Sequence, residues 1–182
     1  KYNSSGVQQW AQRYNNAANR YDEPWDVIAD SLGNVYVTGQ SQAIGNNGTP
    51  PDFATLKYNS AGVQQWLARY NGTANDDDRA YSIGLDDSLN VYVSGYSKGS
   101  TTTLQNFAVV RYSSSGTQQY VITYNGQASK DDRCNNMVVW GNGDIWLTGV
   151  SQNLLNDDYL TARYSYSSIG FEEYTSEADV NL

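Results

Sequence analysis

The chain has 182 residues, 11 basic against 19 acidic residues for a formal net charge of −8, no histidine and one cysteine. Without histidine there is no Ser-His-Asp triad and no histidine metal cluster, and the lone thiol has no imidazole to activate it. The acidic balance argues against nucleic acid and against an anionic membrane surface, both of which attract concentrated Lys and Arg, and no apolar run is long enough to span a bilayer.

In chain order the first element is KYNSSGVQQW at Lys1, which returns as KYNSAGVQQW at Lys57, as RYSSSGTQQY at Arg111 and, altered, as RYSYSSIGFEEY at Arg163. This self-similarity divides the chain into units 1–56, 57–110 and 111–162 with a partial unit 163–182. From the basic residue that opens each unit to the glycine closing its most hydrophobic stretch (Gly39, Gly95, Gly149) the separation is always about 38 residues. From that glycine to the next unit it shrinks through about 18, 16 and 14 residues, so length change is confined to one surface loop per unit.

Alternating apolar residues rich in Val, Tyr, Thr and Trp, punctuated by Asn, Gly and Ser, predict strands and no helix. In the second unit these are Val63 to Tyr70, Tyr81 to Leu85, Val91 to Gly95 and Asn106 to Tyr112, with a turn at Asp87 to Asn90. Ser31-Leu32-Gly33-Asn34 and Gly141-Asn142-Gly143-Asp144 supply residues that tolerate positive φ in tight hairpins, and Asn3 to Gly6 and Asn59 to Gly62 do so between third and fourth strands. Four antiparallel strands repeated every 52 to 56 residues predict an all-β fold, a β-propeller arc of four-stranded antiparallel blades.

The stretch Asp30-Ser31-Leu32-Gly33-Asn34-Val35-Tyr36-Val37-Thr38-Gly39, with its companion Lys57 to Trp66, resembles the bacterial SBBP propeller repeat over nearly the whole chain, fading after Tyr174. The third unit departs from the pattern with Trp140-Gly141 in place of the turn acid and Tyr120 in place of the tryptophan. The resemblance implies a propeller in a secreted or cell-surface bacterial protein and leaves the individual role open. Three full units and an extra outer strand fall short of the roughly four to eight blades of a closed ring. The expectation is therefore an arc of a larger ring, with seven blades as one closed form. The missing blades would come from the rest of a longer chain, as an opening in mid-motif without Met suggests, or from another protomer.

Most aromatics recur at fixed places and are expected in blade-to-blade packing: Tyr2, Tyr58, Tyr112 and Tyr164; Tyr14, Tyr70 and Tyr124; Tyr36, Tyr92 and Trp146; Trp10, Trp66 and Tyr120. Trp25 and Tyr81 are less regular and fall at the mouth of the first strand of their blades, where they are candidates to line a ligand site. The loop leading into each blade carries acids: Asp22 and Glu23, then Asp76, Asp77 and Asp78, then Asp131 and Asp132. Asp22, Asp78 and Asp132 are equivalent and are expected to accept backbone N–H bonds at the turn, with Arg79 or Arg133 as counter-charge. Calcium, which takes carboxylate and carbonyl oxygens, is the alternative, best sought at Asp76, Asp77 and Asp78; no other cofactor is implied.

The variable loops Gln40 to Pro51, Tyr96 to Gln105 and Val150 to Asp157 share a rim with these lead-in loops and form the expected recognition face, with Glu23, Asn46, Asn47 and Tyr96 as further candidates. The function expected from this is a non-enzymatic, extracellular or cell-surface scaffold presenting a polar loop rim to a protein or glycan, without nucleic acid and without membrane insertion. Two alternatives stand beside it. One is a polysaccharide-active enzyme, glycosidase or lyase, using rim carboxylates, with Glu23 the residue that breaks the repeat; the other is a purely structural module that completes a propeller with another chain or segment. Cys134 reads as a small filler residue, and Asn3, Asn47 and Asn71 head glycosylation triplets usable only in a host with that machinery.

Overall fold

The computed structural model describes residues 1–17, 19–42, 50–99, 104–126, 128–167 and 170–175, with side chains described through residue 165. The described residues form strands and no helix. β1 (Asp22–Ala29), β2 (Val35–Gln42), β3 (Pro51–Tyr58) and β4 (Gln64–Tyr70) make the first blade. β5 (Asp78–Leu85), β6 (Val91–Lys98), β7 (Gln105–Tyr112) and β8 (Gln118–Tyr124) make the second. β9 (Asp132–Trp140), β10 (Asp144–Gln152), β11 (Asp157–Ser167) and β12 (Gly170–Thr175) make the third. Every blade is an antiparallel meander in chain order, and the chain is an all-β arc of three four-stranded propeller blades.

The repeat in the sequence and the blade in space are offset. Each blade begins at the lead-in aspartate, about 21 residues into its unit, so the motif that opens a unit is the end of the third strand, the turn and the start of the fourth strand of the blade before. In the first unit that motif is an outer segment held by an isolated bridge between Tyr2 and Gln8.

Each innermost strand carries a β-bulge. Pairing skips Trp25 between β1 and β2, Tyr81 between β5 and β6, and Asn135 between β9 and β10. The extra residue pushes the preceding carbonyl over the neighbouring strand, which accounts for the recurrent glycine there. A β-carbon at Gly39 would lie 2.0 Å from the Glu23 carbonyl oxygen, at Gly95 1.9 Å from that of Arg79, and at Gly149 2.0 Å from that of Arg133.

Between blades lie two apolar layers. Tyr36, Phe53, Trp66 and Tyr70 of the first blade pack on Ala80, Ile83, Val91, Val93, Ala108, Val110 and Tyr112 of the second. Tyr92, Phe107, Val109 and Tyr124 of the second pack on Cys134, Met137, Ile145, Leu147, Leu160, Ala162 and Tyr164 of the third. Cys134 is fully buried where the second blade has Ala80, a small residue under its neighbour, and burial pushes its thiol up to about 11.

The opening motif ties blades together. The Trp66 indole lies between Tyr36 and Tyr112, with centroids 6.2 and 6.4 Å away, and its Nε1 donates to the Ser114 carbonyl at 3.2 Å in the turn of the next blade. Trp10 repeats this against Tyr58 at 6.2 Å, donating to the Ser60 carbonyl at 3.0 Å. The opening base of each later unit stands over the aromatic residue across the strand: Lys57 over Tyr36 at 5.0 Å, Arg111 over Tyr92 at 5.4 Å, Arg163 over Trp146 at 5.3 Å.

A candidate recognition rim

The antiparallel register sets Asp22 opposite Ser41 and Gln42 opposite Pro51, so the start of each innermost strand and the loop after its neighbour share one rim. The lead-in aspartates organise it. Asp22 accepts the Asn16 amide at 3.1 Å, Asp78 the Gly72 amide at 2.7 Å, and Asp132 the Gly126 amide at 2.7 Å together with the Ser151 hydroxyl at 2.5 Å. Asp78 and Asp132 are fully buried, and that burial raises both carboxyls above the ordinary range, Asp78 to about 6. These residues close the turn into each blade, as the repeat suggests.

The neighbouring acids are engaged one by one. Asp77 takes Arg79 Nε at 2.9 Å and the Tyr96 hydroxyl at 2.8 Å, while Asp76 meets Lys98 Nζ at 3.0 Å. The counter-charge expected for Asp78 therefore goes to Asp77, because alternation along the strand turns residues 78 and 79 to opposite faces. Asp76, Asp77 and Asp78 each have a different partner, and among the described residues no group of three His, Cys, Asp or Glu side chains converges on a metal position.

The bulges bring the aromatic candidates together. Trp25 is 51 % exposed and meets Tyr81 edge to face, ring centroids 5.3 Å apart; Tyr81 is half-buried and lies 5.8 Å from Tyr96. Tyr96 itself is buried, its hydroxyl committed to Asp77 and its ring under Arg79, so it braces the cluster from below. Burial and the Asp77 carboxylate both keep the Tyr96 hydroxyl protonated far above its ordinary range. In the third blade Asn135 takes the bulge position, and the aromatic run ends there. Glu23, half-buried, accepts the Gln40 amide at 2.7 Å. Asn46 and Asn47 lie outside the described residues.

One polar network on this rim escapes the sequence reading. Arg69 reaches the Ser41 hydroxyl at 2.7 Å, the Ser41 carbonyl at 2.6 Å and Asp52 at 3.1 Å, and Ser41 in turn accepts from Asn16 at 3.0 Å. Its signal was an arginine shared by two units, Arg13 and Arg69, whose place Thr123 takes in the second blade.

Residues 9–46 and 65–100 each match the family model described as SBBP: Beta-propeller repeat. Both matches start in an outer-strand segment and run past the innermost strand of the following blade, which reproduces the offset between repeat and blade. Among curated proteins no match is found.

Proposed function

We propose that this chain, built on SBBP β-propeller repeats, is a non-enzymatic scaffold, secreted or displayed on a bacterial cell surface, that binds a protein or glycan through the rim carrying Trp25 and Tyr81. The observation that carries this reading is the edge-to-face pair of an exposed Trp25 on a half-buried Tyr81. Two bulges lift an indole and a phenol to the mouth of adjacent blades, while the acids around them are spent on backbone amides, Arg79, Lys98 and Gln40. The frame thus consumes the charged groups, and large, rigid aromatic surfaces remain for a ligand. The hydrogen bond from Gln40 to Glu23 supports a bracing role for that carboxylate over a catalytic one.

The test is a calorimetric titration of the protein with neutral oligosaccharides, acidic oligosaccharides and unstructured peptides, repeated with Trp25→Ala. Binding should weaken at least tenfold in the variant with its melting temperature unchanged. Equal binding by both proteins would refute the rim assignment. Sugar cleavage abolished by Glu23→Gln would replace the scaffold with a carboxylate enzyme. Added calcium should leave the melting temperature where it is, since Asp76, Asp77 and Asp78 serve separate partners.

A further inference from the structure

Each blade carries a polar row at the rim end of its inner three strands, in direct register across the sheet: Asp22, Ser41 and Asp52 in the first, Asp78, Ser97 and Asn106 in the second, Asp132, Ser151 and Asp158 in the third. In the first blade the row is supplied with donors from two sides. Asn16 gives its backbone and side-chain amides to Asp22 and its side chain to Ser41, while Arg69 of the fourth strand reaches Ser41 and Asp52. The second blade has lost both side chains, since Gly72 stands where Asn16 does and Thr123 where Arg69 does.

The second row is therefore short of a donor. The Gly72 amide meets Asp78 Oδ2 at 2.7 Å, but Asp78 Oδ1 and Asn106 Oδ1 are both buried with no donor in hydrogen-bond geometry. Ser97 stands between them, and its single hydroxyl proton can serve only one of the two. The turn at Gly72 closes directly over this row, because a β-carbon there would lie 2.1 Å from the Ser97 hydroxyl oxygen and 2.9 Å from Asp78 Oδ1. Among the described residues the nearby cations are paired elsewhere: Arg69 with Asp52, Arg79 with Asp77 and Lys98 with Asp76. From the first blade Tyr70 faces Asp78 as a phenol that burial keeps protonated, and Asp52 adds negative charge. In the third blade the deficit is relieved, since Ser151 donates to Asp132 at 2.5 Å and Asp158 beside it is exposed to water.

We propose that the missing donor is a proton held on Asp78, which hydrogen-bonds to Ser97 and frees Ser97 to donate to Asn106, so that the joint between the first and second blades is latched by a proton and loosens as pH rises toward neutrality. Burial acts in the same direction, pushing the Asp78 carboxyl from 3.8 to about 6. An opening of the joint that returns Asp78 to water restores the lower value. Within that window each unit of pH then favours the open joint about tenfold, and the whole window roughly a hundredfold. The latch stands apart from the rim reading, since none of its groups belongs to the Trp25 and Tyr81 pair.

The experiment is amide hydrogen exchange followed by NMR on the whole chain from pH 4 to 7, each rate corrected for the intrinsic pH dependence of exchange. Protection of the Gly72 amide should fall roughly a hundredfold across that range. Asp78→Asn, whose side-chain amide carries the missing donor at every pH, should hold it level. Thr123→Arg gives the second blade the donor that Arg69 supplies in the first, and should cut the fall to about tenfold or less; Thr123 is exposed, so the longer side chain strains nothing. Level protection in the wild type overturns the proposal. So does a fall that survives undiminished in either variant.

Discussion

Phe107 in the second blade and Tyr159 in the third stand at the same register position, one residue before the position that pairs with the bulge-facing glycine, yet the first is 1 % exposed and the second 98 %. Their pairing with the adjoining inner strand is the same, Phe107 with Tyr96 and Tyr159 with Val150, while Phe107 also pairs outward with Tyr124 and the described part of β12 begins its pairing at Ala162. What also differs is the neighbour: among the described residues the second blade is packed on both faces and the third on one. A blade of this fold thus builds its own frame but receives its core from next door, which is the energetic logic of repeat architectures.

The frame should fail equally in both blades. Gly95→Ala and Gly149→Ala each force a β-carbon to about 2 Å from a backbone carbonyl oxygen that cannot move without undoing the bulge. Each should cost about 3 kcal/mol or more in denaturant unfolding. A large difference between the two would break the claim that the frames are equivalent. The core should fail unequally: Phe107→Ala should cost about 3 kcal/mol, and Tyr159→Ala should stay within about 0.5 kcal/mol of nothing.

Asp78 sharpens the contrast through pH. Its carboxyl is pushed by burial from the usual 3.8 to about 6, so the folded chain keeps a proton that the unfolded chain has released. The group therefore favours folding most below pH 3.8 and loses that contribution as pH rises to about 6. Asp78→Asn should become more stable relative to the wild type across that window and hold a constant advantage above it, as thermal melts at stepped pH would record. The smallest effect is expected at Leu89, which sits in the left-handed region at φ 59° where the first blade has Gly33 at φ 77°. Leu89→Asn should stabilise by about 0.5 kcal/mol, by relieving a conformation that a branched side chain resists.

The strand order, the turns and the packing aromatics were legible because each depends on local pattern, and the repeat supplied three readings of it. Asp30 shows how far this reaches: it caps the amides of Leu32 and Asn34 at 3.0 and 2.9 Å, and Asp86 does the same for Ser88 and Asn90 at 2.9 and 2.8 Å. Where the third blade lacks that acid, Gly141 and Gly143 take positive φ instead, and Asp144 moves in to pair with Arg163 at 2.8 Å. The bulges were not legible, since one extra residue shifts which face a side chain takes without altering composition. That shift puts Trp25 and Tyr81 in contact, and packing beneath them buries Tyr96, a residue the loop pattern had assigned to the rim surface. Arg69 was missed for a different reason. It recurs in the sequence as Arg13, but its partners Ser41 and Asp52 become neighbours only through strand pairing.

The offset between repeat and blade bears on how such a chain can grow. A gene segment cut at the sequence boundaries encodes the outer strand of one blade and the three inner strands of the next, and its tryptophan already reaches the serine turn of the blade that follows. Each duplication of that segment inserts a clasp along with a blade. Lengthening the array therefore adds no loosely attached module at the join, and excision of the same segment leaves the flanking blades latched to each other.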